Sequence, residues 1–110
     1  MPRFIVTGSY TAAAMKAMLK NPSDREAAAK AVVKAAGGKL ESFYLTTGES
    51  DFAIKVTIGD AADLIAGLMA TGASGSVTNL KTVRAFTSKE FTAMQKKAGK
   101  IAKAYDAPGS

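Results

Sequence analysis

From Asp51 to Ile58 the chain alternates without a break: Phe52, Ile54, Val56 and Ile58 are apolar, while Ala53, Lys55 and Thr57 are small or polar. Successive side chains of a strand point to opposite faces, so this segment buries one face and leaves the other without apolar cover. It therefore belongs in an antiparallel sheet whose helices lie on one side only.

The neighbouring segments supply the rest of that sheet. Lys39 to Leu45 reads as a second strand, joined to Asp51–Ile58 by a hairpin over Thr46 to Ser50 centred on Gly48. Arg3 to Tyr10 is a first strand, with Phe4, Val6, Gly8 and Tyr10 on one face. Ser74 to Phe86 is a fourth, long enough to hold a bulge and starting at Gly75.

Helical signals separate the strands. Thr11 to Lys20 carries an alanine-rich side with Ala14, Met15, Met18 and Leu19, and Asn21-Pro22 interrupts it. Ser23-Asp24-Arg25-Glu26 has the pattern of a capping box and opens a helix to about Ala36, striped by Ala29, Val32, Val33 and Ala36. Gly37-Gly38 stops it. Gly59-Asp60 opens a short helix with Leu64, Ile65, Leu68 and Met69 inward, ended by Gly72. Thr87-Ser88-Lys89-Glu90 is a second capping box, opening a final helix with Phe91, Met94, Ala98, Ile101 and Tyr105 on one stripe. That helix is expected to pack on its own domain or on a partner subunit. The order describes an α+β, ferredoxin-like β-α-β-β-α-β antiparallel sheet with helices on one face and an extra C-terminal helix.

Composition narrows the function. The 110 residues suit one domain, taken as 1–106, with Ala107-Pro108-Gly109-Ser110 read as a disordered tail. Hydrophobic residues make up 47% but aromatics only 7%, so the core is expected to be thin and to need close helix–sheet approach. With no Cys and no His there are no disulfides, thiolate nucleophiles, imidazole bases or Cys/His metal sites. No cofactor and no metal are therefore expected. No apolar run approaches the roughly 20 residues a membrane span requires, and the expected location is cytoplasmic. The net charge of +6 is concentrated at the end, where Thr87 to Tyr105 sets five lysines against Glu90 alone.

The chain resembles the GYD-domain family of bacterial proteins. The resemblance rests on Val6-Thr7-Gly8-Ser9-Tyr10-Thr11, on Arg25, and above all on Gly37-Gly38-Lys39-Leu40-Glu41-Ser42-Phe43-Tyr44. Gly48 with Asp51, Ser74-Gly75-Ser76-Val77 and Thr87 through Glu90 complete it. Ser50 stands before Asp51 where the family's Gly-Tyr-Asp motif has tyrosine. The resemblance implies a ferredoxin-like fold similar to the dimeric α/β barrels, in which two sheets face each other. It implies no particular activity.

Candidate ligand-binding residues follow from the strands and the hairpin. Asp51 beside Gly48 is either a ligand or proton-transfer group, or a turn residue bonding local amides. Lys55, with Thr7, Ser9 and Thr57, lines the uncovered face, joined there by Asn79 and Lys81 or by Thr78, Thr82 and Arg84. Face-to-face dimerisation would enclose these groups around a small anionic or oxygenated ligand; alternatively they form a plain interface, with Lys55 paired to Glu41 or Asp51, or a solvated surface. Tyr10 and Tyr44 are the strand tyrosines, each either a ligand contact or a core-edge cap.

Three functions remain open: a non-catalytic oligomer that binds a small molecule or plays a structural role, a cofactor-independent enzyme using Asp51, Lys55 or a tyrosine for proton transfer, and a weak nucleic-acid binder acting through the terminal lysines. The first is favoured. The expected partner is a second copy of the chain.

Overall fold

In the computed structural model, which describes residues 1–109, the elements run β1 (Arg3–Tyr10), α1 (Ala12–Lys20), α2 (Arg25–Ala35), β2 (Lys39–Leu45), β3 (Phe52–Thr57), α3 (Ala61–Ala73), β4 (Val77–Ala85) and α4 (Ser88–Ala102). Residues 107–109 contain neither helix nor strand, and Ser110 of the expected tail lies outside the described residues.

The four strands form one sheet in the order β2-β3-β1-β4, and every pair is antiparallel. From the opposite edge this is the 4-1-3-2 order of the ferredoxin-like split β-α-β unit. Phe4 lies opposite Val56 and Val6 opposite Ile54, so the apolar faces of the two central strands coincide. Those side chains are buried beneath the helices.

Two glycines explain the passage from α2 into β2. Gly37 takes φ 89°, the left-handed conformation that lets a chain leave a helix. Its N–H donates to the Lys34 carbonyl, and that of Gly38 to the Val33 carbonyl. A Cβ on Gly38 would stand 2.8 Å from the Thr57 carbonyl oxygen, so only glycine lets β2 approach β3 there.

The core is a sheet core. Of its buried side chains only Val33 and Leu64 come from helices. α1 buries nothing, and its Leu19 is 86% exposed. On α3, Leu64 is buried and Leu68 packs beside it, but Ile65 and Met69, expected inward, point to solvent. The apolar stripe of α3 is therefore narrower than the sequence suggests, because one row of side chains fills its contact with sheet and α2.

The start of α2 also differs from expectation. Its cap is Asp24 and not Ser23: the Asp24 carboxylate accepts the Ala27 N–H at 3.2 Å, while Ser23 Oγ accepts from Arg25 Nη1 at 2.9 Å. Either residue type suits the position, and here the Ser23 hydroxyl is taken by Arg25. The second capping box is present as read, with Thr87 and Glu90 bonding each other's backbone N–H.

Of the two packings expected of α4, the one on its own domain is absent. Phe91, Met94, Ile101 and Tyr105 are all exposed, and Arg3 holds the start of the helix through a 3.4 Å ion pair to Glu90. The molecule extends over 63 × 31 × 22 Å, with a radius of gyration of 18.2 Å. A compact chain of this length has a radius of gyration of about 13 Å. No helix of the described residues is long and apolar enough to cross a membrane.

Candidate functional site

The alanine-rich helices fix where open space arises. α1 and α2 face the sheet with Ala14, Ala17, Ala28 and Ala29, side chains too short to reach it, and a cavity of about 500 Å³ remains between helices and sheet. Its floor is Val6, Phe52, Ile54 and Leu80, its roof is α1 and α2, and Leu68 of α3 closes one flank. The close helix–sheet approach expected from the alanine content is thus not made, because the helices stand off the sheet and leave an open-sided space. Its volume lies in the range of small-molecule sites.

Of the six polar side chains in the lining, Thr71 belongs to α3 and Ser76 precedes β4. Tyr10 ends β1, Asn21 and Ser23 belong to the α1–α2 connection, and Arg25 is the first residue of α2. The Tyr10 ring packs on Phe52 with centroids 5.3 Å apart and planes tilted by 44°. Burial pushes the Tyr10 phenol above its ordinary pKa of 10.0; the Arg25 guanidinium pulls it down in part, and the Asp51 carboxylate raises it. Arg25 donates to Ser23 Oγ and has no carboxylate within ion-pair distance among the described residues.

The hairpin tip braces this end of the sheet. Asp51 Oδ2 accepts the Tyr10 N–H at 2.9 Å, and the Asp51 N–H donates to the Gly8 carbonyl at 2.8 Å. Asn79, at the β4 bulge with φ 55°, donates through Nδ2 to the Glu49 carbonyl at 3.2 Å. Thr46 Oγ1 donates to the Ser50 carbonyl at 2.7 Å, closing the turn on itself.

The sequence candidates fall in three places. Tyr10 and Asp51 meet at the end of β1, the phenol towards the cavity. Lys55 and Tyr44 lie on the uncovered face, where Lys55 stands opposite Ile5 and Ser42, and Tyr44 opposite Ala53. Arg84 stands opposite Phe4 and so on the helix side; its guanidinium lies 4.3 Å from the Phe86 ring centroid and donates to the Arg3 and Ala85 carbonyls. Thr82, opposite Val6, shares that side, while Thr78 and Lys81 join Thr7 and Ser9 on the uncovered face. Lys55 pairs with neither Glu41 nor Asp51; Glu41 instead accepts from Thr57 Oγ1 at 3.0 Å.

Sequence reasoning missed the cavity and with it the place of Arg25 in its lining. The signal was present in the alanine run of both helices facing large sheet residues, with one arginine at the start of the second helix. Its meaning depends on how far the helices stand from the sheet, which periodicity does not give.

The family model of the GYD domain matches residues 4–94. Among solved structures the chain is similar to TTHA0845 of Thermus thermophilus, at 17% identity and TM-score 0.52, over 80% of this chain and 96% of that one. It is also similar to the transcriptional regulator NMB0573 of Neisseria meningitidis, solved as a complex with L-Met, at 15% identity and TM-score 0.51, over 79% of this chain and 51% of that one. A third, MtbAldR, has 11% identity and TM-score 0.52 over 78% of this chain and 52% of its own. The chain thus spans about half the length of the last two. At these identities the likeness is one of fold. No curated protein matches the chain in sequence.

Proposed function

The chain belongs to the GYD-domain family, and we propose that this member is a non-catalytic small-molecule-binding domain that works as a homo-oligomer. The observation that carries the reading is the cavity of about 500 Å³ between the sheet and its helices, apolar on most of its wall and polar where Tyr10 and Arg25 meet it. A folded domain gains nothing from holding water against so much apolar wall, and a ligand that displaces this water recovers the burial the alanines forgo.

Binding without chemistry is favoured by the spread of the ionisable candidates. A proton-transfer site needs its acid, base and substrate within hydrogen-bond reach. Here Tyr10 and Asp51 meet through a backbone N–H, Lys55 and Tyr44 lie across the sheet from the cavity, and Arg84 rests on Phe86. Self-association is supported by the surfaces left uncovered. The second sheet face exposes Ile5 and Val83, and the apolar stripe of α4 has no seat on its own domain.

Native mass spectrometry of protein purified gently from its own source tests both parts. The expected spectrum is a discrete oligomer carrying added small-molecule mass that disappears under denaturing conditions. A bare monomer, with the same protein taking up no small apolar probe, would remove the proposal.

A further inference from the structure

Resting on the reading of the cavity as a ligand site, we infer that it selects an amphipathic anion: an apolar hydrocarbon or aromatic body ending in one carboxylate, with Arg25 as the residue that reads the head group. The asymmetry of the cavity carries this inference. Ala17, Met18, Ala29 and Val32 make the helix-side wall, and none offers a hydrogen bond to a polar ligand body. The hydroxyls of Thr71 and Ser76 in the lining are engaged with the Gly67 carbonyl and Ser74 Oγ, and the remaining polar side chains are those of Tyr10, Asn21, Ser23 and Arg25. A molecule polar along its length would leave its groups unpaired against the alanines, whereas one with a single polar end matches the wall.

The charge at that end is positive and has no carboxylate partner among the described residues. Arg25 presents five N–H donors in a planar fork suited to a carboxylate; Nη1 donates to Ser23 Oγ, the guanidinium also bonds the Tyr10 phenol, and the fork has donors to spare. Asp24 and Glu26 flank it in sequence, but neither lies within ion-pair distance, and Asp24 is engaged with the Ala27 N–H. Arg25 is also the first residue of an eleven-residue helix, where the positive end of the helix dipole adds to its charge. The Tyr10 hydroxyl, set in the same lining, supplies a further donor. A cationic head would meet this charge directly, and a neutral alcohol would leave the guanidinium fork unfilled.

Isothermal titration calorimetry with three ten-carbon probes tests the inference: decanoate, 1-decanol and decyltrimethylammonium, against the wild-type chain. Decanoate is expected to bind at least tenfold more tightly than decanol, and the cation more weakly than either. In Arg25→Gln the advantage of decanoate over decanol is expected to vanish while decanol affinity holds. Arg25→Lys is expected to keep part of the advantage, a point charge replacing the fork. Ala29→Phe, which fills the cavity, is expected to abolish binding of all three while Tm rises, the rise reporting that this variant folds. Equal affinity of the wild type for decanoate and decanol overturns the anion inference and leaves the cavity reading standing. Failure of all three probes to bind, or decanoate binding that Ala29→Phe leaves unchanged, overturns the cavity reading itself. The wild-type comparison decides the head group even should Arg25→Gln fail to fold.

Discussion

Asp51 Oδ2 accepts the backbone N–H of Tyr10 at 2.9 Å, joining the tip of the β2–β3 hairpin to the last residue of β1. Since the Tyr10 side chain lines the cavity, the carboxylate holds a wall in place without facing the ligand. Asp51→Ala leaves that N–H without its partner and is expected to cost about 1–3 kcal/mol. Asp51→Asn keeps an acceptor oxygen and is expected to cost less. Urea denaturation of both variants checks the order; equal losses would show that the charge and not the hydrogen bond matters.

Gly8 is buried in the middle of β1, and a Cβ there would stand 2.5 Å from Phe52 Cζ and 2.9 Å from Leu80 Cδ2. Phe52 packs on Tyr10, and its ring must swing towards the cavity and give up that contact to admit the methyl. Gly8→Ala is expected to destabilise the domain by about 1–3 kcal/mol through overpacking. Gly99→Ala is the contrast, since nothing lies within 4 Å of that position on α4. It is expected to increase helicity, alanine being favoured over glycine by about 1 kcal/mol in a helix interior. Circular dichroism and urea melts read the two effects separately.

Burial, opposed in part by Arg25, raises the Tyr10 pKa above 10.0. The folded state therefore holds the neutral phenol more firmly than the unfolded chain does. The resulting stability is fully present below pH 10 and is lost as pH rises through the folded pKa. Absorbance at 295 nm during alkaline titration is expected to show a late-ionising phenol that Tyr10→Phe removes. A titration curve that keeps this component in Tyr10→Phe would show that another tyrosine produces it.

The start of α4 gives a prediction with two separable readouts. Thr87 Oγ1 accepts the Glu90 N–H at 3.1 Å, and Glu90 Oε1 accepts the Thr87 N–H at 2.8 Å. The bond from the Thr87 backbone is the first cause that lowers the Glu90 pKa from 4.5, with a Thr87 side-chain hydrogen bond next and Arg3 and Arg84 contributing less. The contribution of Glu90 is thus present above pH 4.5 and fades as pH falls through the lower folded value. Thr87→Ala is expected to weaken the helix start by about 1 kcal/mol. Because the apolar stripe of α4 is exposed and Arg3–Glu90 is its ion pair to the sheet, ellipticity at 222 nm is expected to drop with Tm of the monomeric domain little changed.

How much of this was legible in the sequence depends on the range of the interaction. The alternation from Phe52 to Ile58 is local, so the antiparallel sheet and its uncovered face followed from it. Gly37-Gly38 likewise marked a helix end, and Thr87 with Glu90 marked a helix start. Arg84 defeated the reading because the bulge at Asn79 re-phases β4, turning Thr82 and Arg84 to the helix side while Lys81 and Val83 keep the other. The cavity was out of reach for another reason: an alanine stripe is compatible with helices pressed close or held away, and only the whole packing decides between them.

The proposed self-association is open to test at Val83. This residue stands opposite Ile5 on the uncovered face, and it is 57% exposed in the single chain. A charge there costs the isolated domain little, since water reaches it. At the centre of a sheet-to-sheet interface the same charge would lose its hydration without a partner, a far larger penalty. Val83→Glu is therefore expected to leave Tm of a dilute sample nearly unchanged and to weaken association at least tenfold, as read by light scattering coupled to gel filtration. Lys30→Glu, on the exposed side of α2, is the control and is expected to change neither. Ile101→Glu separates the two surfaces: a loss of association equal to that of Val83→Glu assigns the α4 stripe to the same interface, and no loss assigns assembly to the sheet alone. Wild-type protein that remains monomeric at high concentration would refute the assembly outright.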